Sequence, residues 1–238
     1  MKIYSYLKNS FNDYPGKISC IVFSPLCNFR CYYCHNAELI NCKDELVTHK
    51  EFFDFLKSRV GMLDAVVISG GEPTLQKGLE KFIVRIKKLG FLVKLDTNGT
   101  SPRIVQDLLD KNLLDFIAMD IKAPLDKYRM IIGGNVGVAP KSDPLIQNVI
   151  TSIKQIKESG VDHEFRTTYS GTLSKEDILE IVKLITVGVA PESDPPKFAL
   201  QKYNQQKPEH SEPHTYEYFM ETADAVKALI GDKFILRY

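Results

Sequence analysis

Short apolar runs alternate with longer stretches of helical periodicity along most of this chain. ISCIVF (18–23) is a β-rich run that stops at Ser24-Pro25, as a strand running into a loop does. Thr48 followed by Glu51 is a capping-box signature, and Phe52, Phe55 and Leu56 behind it recur at helical spacing. AVVIS (65–69) is wholly apolar, the pattern of a strand covered on both faces, and it ends at Gly70-Gly71-Glu72-Pro73. From Leu75 to Leu89 the residues Leu79, Phe82, Ile83 and Ile86 share one helical face, and Gly90 stops the run as a C′ residue.

The alternation continues. FLVKL (91–95) leads into Asp96-Thr97-Asn98-Gly99, after which Ser101 as cap and Pro102 at the first helical position open a helix through Ile104, Val105, Leu108 and Leu109. DFIAM (115–119) runs into Asp120-Ile121-Lys122. A longer loop with Gly133, Gly134 and Gly137, a candidate lid, then precedes a helix from about Pro144 to Ser159. VDHEFRTTY (161–169) alternates as a strand, and Ser174 with Asp177 caps a helix carrying Ile178, Ile181, Val182 and Ile185. A stretch with Pro191, Pro195 and Pro196, a short KFALQ strand, a loop over 201–213, a helix over about 214–230 and a final FILRY complete the pattern. Residues 1–17 read as a polar arm.

Strand, loop and helix repeated about six times predict a parallel α/β sheet with right-handed crossovers. Periodicity alone leaves an open doubly wound layer and a closed or partly closed barrel equally available. In either case the loops at 27–37, 70–73, 96–99 and 120–122 follow strands and gather on one face.

Composition narrows the setting. The 238 residues are read as one domain, 1–238, and 44% hydrophobic residues supply a substantial core. A net charge of +1 gives no field to attract nucleic acid or an anionic membrane. The opening MKIYSYLKNSFNDYPG has no apolar signal region, and no later stretch approaches the roughly 18 unbroken apolar residues of a membrane span. A cytoplasmic protein is expected. Five cysteines, three of them clustered, fit a reduced compartment and a metal site better than a disulfide framework.

The clustered three carry the chemistry. In CNFRCYYCHN (27–36), Cys27, Cys31 and Cys34 are separated by three and then two residues. Three thiolates can hold three irons of a 4Fe-4S cube and leave the fourth iron open to a ligand. The alternative is a structural zinc or a disulfide that recruits Cys20, Cys42 or His35. Arg30 and His35 flank the thiols and would help to keep them ionised. GGEP and DTNG read singly are ordinary turn sequences; their interest is that each ends a strand near the cysteine loop. His49, His163, His210 and His214 are scattered, and the chain contains no P-loop or dinucleotide glycine motif.

The cysteine spacing resembles that of the radical S-adenosylmethionine superfamily, which implies a partial (β/α)6 TIM-like barrel in a single domain. It implies one 4Fe-4S cluster on Cys27, Cys31 and Cys34, with S-adenosylmethionine chelating the open iron. By the same resemblance Gly70, Gly71 and Glu72 take the amino group of the methionine moiety, and Tyr33 lies against the adenine. Asp96, Thr97, Asn98, Asp120 and Lys122 match segments that in glycyl-radical activating enzymes contact the cofactor and a monovalent cation, and Arg166, on the fifth strand of the pattern, either joins them as a cofactor contact or is a satisfied barrel residue.

The stretch GKISCIVFSPLCNFRCYYCHNAELI (16–40), with SGGEPTLQ, DTNG and MDIKAP, is similar to the activating proteins of anaerobic ribonucleoside-triphosphate reductase. Tyr32 departs from the proline common there. That likeness implies cleavage of S-adenosylmethionine to methionine and a 5′-deoxyadenosyl radical, hydrogen abstraction from a glycine of a partner enzyme, and a flavodoxin or ferredoxin as reductant. The loop 201–213, with Tyr203, is then the expected docking place for the partner's glycine loop. Two other readings stand beside it: a radical enzyme acting on a small molecule, resembling 7-carboxy-7-deazaguanine synthase, and a non-catalytic metal-binding protein.

Overall fold

The computed structural model describes residues 1–133, 142–187, 195–204 and 213–238. Its strands are β1 (Ser5–Ser10), β2 (Ser19–Ser24), β3 (Ala65–Gly70), β4 (Leu92–Thr97), β5 (Phe116–Asp120), β6 (Asp162–Tyr169), β7 (Lys197–Lys202) and β8 (Phe234–Arg237). They form one eight-stranded sheet in the order β1-β2-β3-β4-β5-β6-β7-β8. Pairing is parallel from β2 to β8, and β1 runs antiparallel to β2. The crossovers contain α1 (His49–Lys57), α2 (Leu79–Lys87), α3 (Pro102–Asp110), α4 (Tyr128–Ile131), α5 (Pro144–Glu158), α6 (Lys175–Thr186) and α7 (Tyr216–Ile230). Sequential strands joined by helices and left unclosed between β1 and β8 make the partial barrel the sequence resemblance implied.

The period of two along each strand sorts the side chains into two layers. Cys20, Val22, Val66, Ile68, Val93, Leu95, Ile117, Met119 and Phe165 point outward and pack under the helices in one continuous core. Their neighbours Ile21, Ala65, Val67, Phe116 and Ala118 point inward and, with Tyr14, plug one end of the barrel. Because the lower interior is filled by apolar side chains, the polar inward positions collect towards the strands' C-terminal ends. Strand termini and loops build the site there.

Several local expectations are corrected. The polar arm contains β1, whose Tyr6 packs edge-on against Phe52 and at a tilt against Phe55. A strand at the sheet's edge needs apolar contact on one side only, so Lys8 and Asn9 obscure it in the sequence. Glu72-Pro73 starts a short 3-10 turn over Pro73–Leu75, which delays α2 to Leu79. Thr48 accepts from the Glu51 N–H at 3.2 Å and Ser174 with Asp177 forms a complete capping box. Ser101 makes no side-chain cap, and the fixed φ of Pro102 sets the entry to α3 instead. Residues 134–141 of the candidate lid and 205–212 of the candidate docking loop lie outside the described residues. Among the described residues no helix is long and apolar enough to cross a membrane.

Candidate functional site

The cysteine loop begins with a backbone conformation that leucine rarely adopts. Leu26 has φ +69°, in the left-handed region where a side chain costs about 1–2 kcal/mol. Its N–H donates to Leu39 O at 2.8 Å, its carbonyl accepts from Glu72 N–H at 2.7 Å, and the next amide, Cys27, donates to Ile40 O at 3.2 Å. Surrounding hydrogen bonds thus hold a strained residue immediately before the first thiol, as is common where a site must be aimed.

The GGEP loop lies directly on this turn. A Cβ at Gly71 would overlap the carbonyl of Leu26, and one at Gly70, with φ +114°, would overlap the backbone of Ser24. The glycines are therefore required by the approach of one loop to the other. Glu72 is 1% exposed and its carboxylate accepts from four donors. Its Oε1 accepts from Thr74 N–H (3.1 Å), Thr74 Oγ1 (2.6 Å) and Thr97 Oγ1 (2.8 Å), and its Oε2 accepts from Asn98 N–H (2.7 Å).

A second polar group occupies the inward ends of β4, β5 and β6. Arg166 Nε donates to Asp120 Oδ1 at 2.9 Å and its Nη1 lies 3.3 Å from Asp96 Oδ2, so one guanidinium joins two carboxylates. Lys122 Nζ donates to Asp120 Oδ2 at 3.1 Å. Lys94 Nζ stands 2.9 Å from Asp96 Oδ1, an ion pair without an aligned hydrogen bond, and donates to Asp13 O at 2.6 Å. Deeper along β6, Glu164 accepts both arms of Arg237, at 2.9 and 2.8 Å.

These surroundings set the proton affinities. Burial alone would raise Asp96 and Asp120, but Arg166 beside both, with Lys94 on the first and Lys122 on the second, holds each below the usual carboxylate range. Burial raises Glu72, opposed by its neutral donors. The Cys31 thiol is pushed by burial up to about 11, and Cys27 is raised for the same reason while the Phe29 N–H, 3.4 Å from its sulfur, acts in the opposite sense. The cation that favours the thiolates of Cys27 and Cys31 is Lys122. That corrects the expected helpers: Arg30 donates to Asn41 and to carbonyls, and His35 is lowered by burial and by Lys122.

One cavity of about 840 Å³ gathers these groups, within the range of cofactor and ligand sites. Every residue assigned to the cluster or to the cofactor from the sequence lines it: Cys27, Cys31, Cys34, Tyr33, Gly70, Gly71, Glu72, Asp96, Thr97, Asn98, Asp120, Lys122 and Arg166. The Tyr33 ring is buried, with a hydroxyl that has no hydrogen-bond partner, an orphan that a bound polar ligand would satisfy. Among the described residues no three His, Cys, Asp or Glu side chains converge to hold a single metal ion. An iron-sulfur cube takes each thiolate on a different iron, so the three thiols that line this cavity need not converge on one atom to hold it.

A family model described as the Radical SAM superfamily matches residues 21–185. The chain belongs to that superfamily. Membership makes it a radical SAM enzyme and implies a 4Fe-4S cluster and S-adenosylmethionine. The Methanocaldococcus jannaschii protein named "Putative glycyl-radical enzyme activating enzyme MJ1227" is 38% identical over 178 residues, 73% of this chain and 70% of that protein. A GTP 3′,8-cyclase of Alkaliphilus oremlandii is 39% identical over 121 residues, 48% of this chain and only 38% of the cyclase. Among solved structures, Streptococcus suis SuiB bound to precursor peptide SuiA superposes with a TM-score of 0.65 at 17% identity, over 92% of this chain and 48% of that one.

Sequence reading missed Leu26, Lys94 and the Glu164–Arg237 pair. Lys94 was legible in principle, because the lysine near the end of FLVKL sits opposite in phase to the outward Val93 and Leu95. Tyr203, expected on a docking loop, is fully buried against Tyr33, with ring centroids 6.0 Å apart. It belongs to the packing behind the cysteine loop.

Proposed function

We propose that this radical SAM enzyme is a glycyl-radical activating enzyme, with an anaerobic ribonucleoside-triphosphate reductase as its protein substrate. Cys27, Cys31 and Cys34 hold the cluster. The backbone of Gly70 to Glu72 faces the methionine amino group, Tyr33 faces the adenine, and Asp96, Thr97, Asn98, Asp120, Lys122 and Arg166 form the polar wall, with Asp96 and Asp120 available to a monovalent cation. Bound together, cluster and S-adenosylmethionine supply one-electron cleavage to methionine and a 5′-deoxyadenosyl radical that takes a hydrogen atom from a glycine Cα, with a flavodoxin or ferredoxin as the electron source. The likeness to the M. jannaschii protein supports this reading.

One observation carries the choice of substrate. Among the described residues, each lysine and arginine lining the cavity is already paired with a carboxylate: Lys94 with Asp96, Lys122 with Asp120, Arg166 with both, and Arg237 with Glu164. A triphosphate substrate needs uncommitted cations, which these pairs do not offer. The cavity instead reaches the gap of the unclosed sheet, lined there by Phe11 to Asp13 after β1 and Leu236 to Tyr238 of the β8 end. Phe11 is 68% exposed and Tyr238 66%. An open side with exposed aromatics suits a peptide segment better than a closed small-molecule pocket.

The test is anaerobic reconstitution followed by paramagnetic resonance with and without S-adenosylmethionine, then incubation with the reductase and a reductant. A 4Fe-4S signal altered by the cofactor, 5′-deoxyadenosine, and a glycyl doublet on the reductase are expected. Cofactor cleavage stimulated by a small molecule such as GTP, with no doublet, would transfer the chain to the small-molecule reading. Zinc in place of iron would support the non-catalytic one.

A further inference from the structure

Asn28 directly follows the first cysteine of the loop. Its side chain closes a hydrogen-bonded ring with two residues after β4: Asn28 Nδ2 donates to Thr100 Oγ1 at 2.8 Å, Thr100 Oγ1 donates to Asn98 Oδ1 at 2.7 Å, and Asn98 Nδ2 donates to Asn28 Oδ1 at 2.8 Å. One backbone group fixes the sense of the whole ring. The Thr100 N–H also donates to Asn98 Oδ1, at 3.1 Å, so that oxygen must face Thr100. The Asn98 amide nitrogen must then face Asn28, and the Asn28 nitrogen must face the Thr100 hydroxyl. All three polar groups are both donor and acceptor, and no member can rotate without breaking two bonds.

The ring is tied down at its far side. Asn98 N–H donates to Glu72, whose carboxylate accepts four protein donors, about the number of lone-pair sites a carboxylate has. From behind, Ser152 Oγ donates to Gly99 O at 2.7 Å and Asn148 Nδ2 to Thr100 O at 3.0 Å, both from α5. The β4 loop is thus a fixed wall. The cysteine loop, strained at Leu26, is fastened to it one residue beyond Cys27.

We propose that Asn28 is a positioning residue for the cluster, latching the cysteine loop to the β4 loop through Thr100 and Asn98, and that the Glu72 side chain anchors this latch instead of contacting the bound cofactor. The proposal rests on the cluster reading above. It separates the GGEP loop into two parts: a backbone that faces the cavity and a carboxylate committed to holding the loops together.

The test uses Asn28→Ala, Thr100→Val, the double variant, and Thr100→Ser, which keeps the hydroxyl. Asn28→Ala removes two of the ring's bonds and Thr100→Val two, the Asn28–Thr100 bond being common to both, and losing even one such hydrogen bond between the loops corresponds to about a tenfold change in an equilibrium. Iron release to a chelator is therefore expected about tenfold faster in Asn28→Ala and Thr100→Val, near the original rate in Thr100→Ser, and no faster in the double variant than in the worse single one. In iron-free protein, exchange of the Cys27 to Arg30 amides should quicken in the same variants while the urea midpoint moves little. Unchanged release and exchange would overturn the latch, as would additive losses that merely follow the urea midpoint. If the unaltered protein takes up no cluster, the functional reading fails, and amide exchange in the iron-free protein still decides whether the latch exists.

Discussion

Glu72 and Asp120 are carboxylates at the ends of two strand-loop units, β3 and β5, that flank β4, and both face the same cavity. Their partners differ in kind. Glu72 accepts from two backbone amides and two threonine hydroxyls, all neutral, whereas Asp120 is paired with Arg166 and Lys122 and shares the former with Asp96. Neutral donors on two separate loops make Glu72 a geometric device that fixes the distance between those loops. Cationic partners make the Asp96–Asp120 side an electrostatic device, setting the local charge beside the thiols through Lys122. One half of the mouth thus determines where things stand, and the other what charge they meet.

The largest effect is expected where charge is shared. Arg166→Met leaves the buried Asp96 with Lys94 alone and the half-buried Asp120 with Lys122 alone, and breaking a buried pair from one side destabilises by up to about 3–5 kcal/mol. Urea unfolding of the iron-free protein should show a loss in that range. Loss below about 1 kcal/mol would mean that solvent already screens this side, and the contrast with Glu72 would disappear.

Glu72→Gln should do less. The amide retains one acceptor oxygen but turns a donor towards groups that themselves donate, so about 1–3 kcal/mol is expected from the disrupted network. The sharper expectation concerns place: faster amide exchange at Thr97 to Thr100 and across Cys27 to Arg30, with the β5 and β6 ends unaffected. Exchange that quickens equally on both sides would show the two halves to be one cooperative unit.

The difference between the halves also explains what was legible in the sequence. Strands β2 to β7 and most helices follow from periodicity, because each buries a regular face. The site residues were named through short motifs that happen to end strands, and the barrel brings all of them to one cavity. What the motifs left hidden were relations between loops distant in sequence. Asn28 and Thr100 are 72 residues apart, and Lys94 reaches the Asp13 carbonyl across 81. Gly70 and Gly71 are required by a neighbouring backbone that no local pattern discloses. Edge strand β1 escaped because half of its face is wet, and the left-handed Leu26 escaped because its conformation is imposed by Leu39 and Glu72, not by leucine.

Acidification should separate the two halves with the smallest but most specific effect. Asp120 has a folded pKa below its ordinary value, so its contribution to stability is present above about pH 3.9 and is lost as pH falls through the folded value. Glu72 is raised, so the folded state binds its proton more tightly than the unfolded chain. Its contribution is complete below about pH 4.3 and fades as pH rises through the folded value. The stability gap between the unaltered protein and Glu72→Gln should therefore widen as pH is lowered from 7 towards 4. The gap to Asp120→Asn should hold over that interval and narrow only below it. Each slope is bounded by about 1.4 kcal/mol per pH unit, the limit for one proton. Parallel curves for the two variants would mean that both carboxylates sit in one electrostatic environment, and that the neutral anchoring of Glu72 does not distinguish it from its charged neighbour.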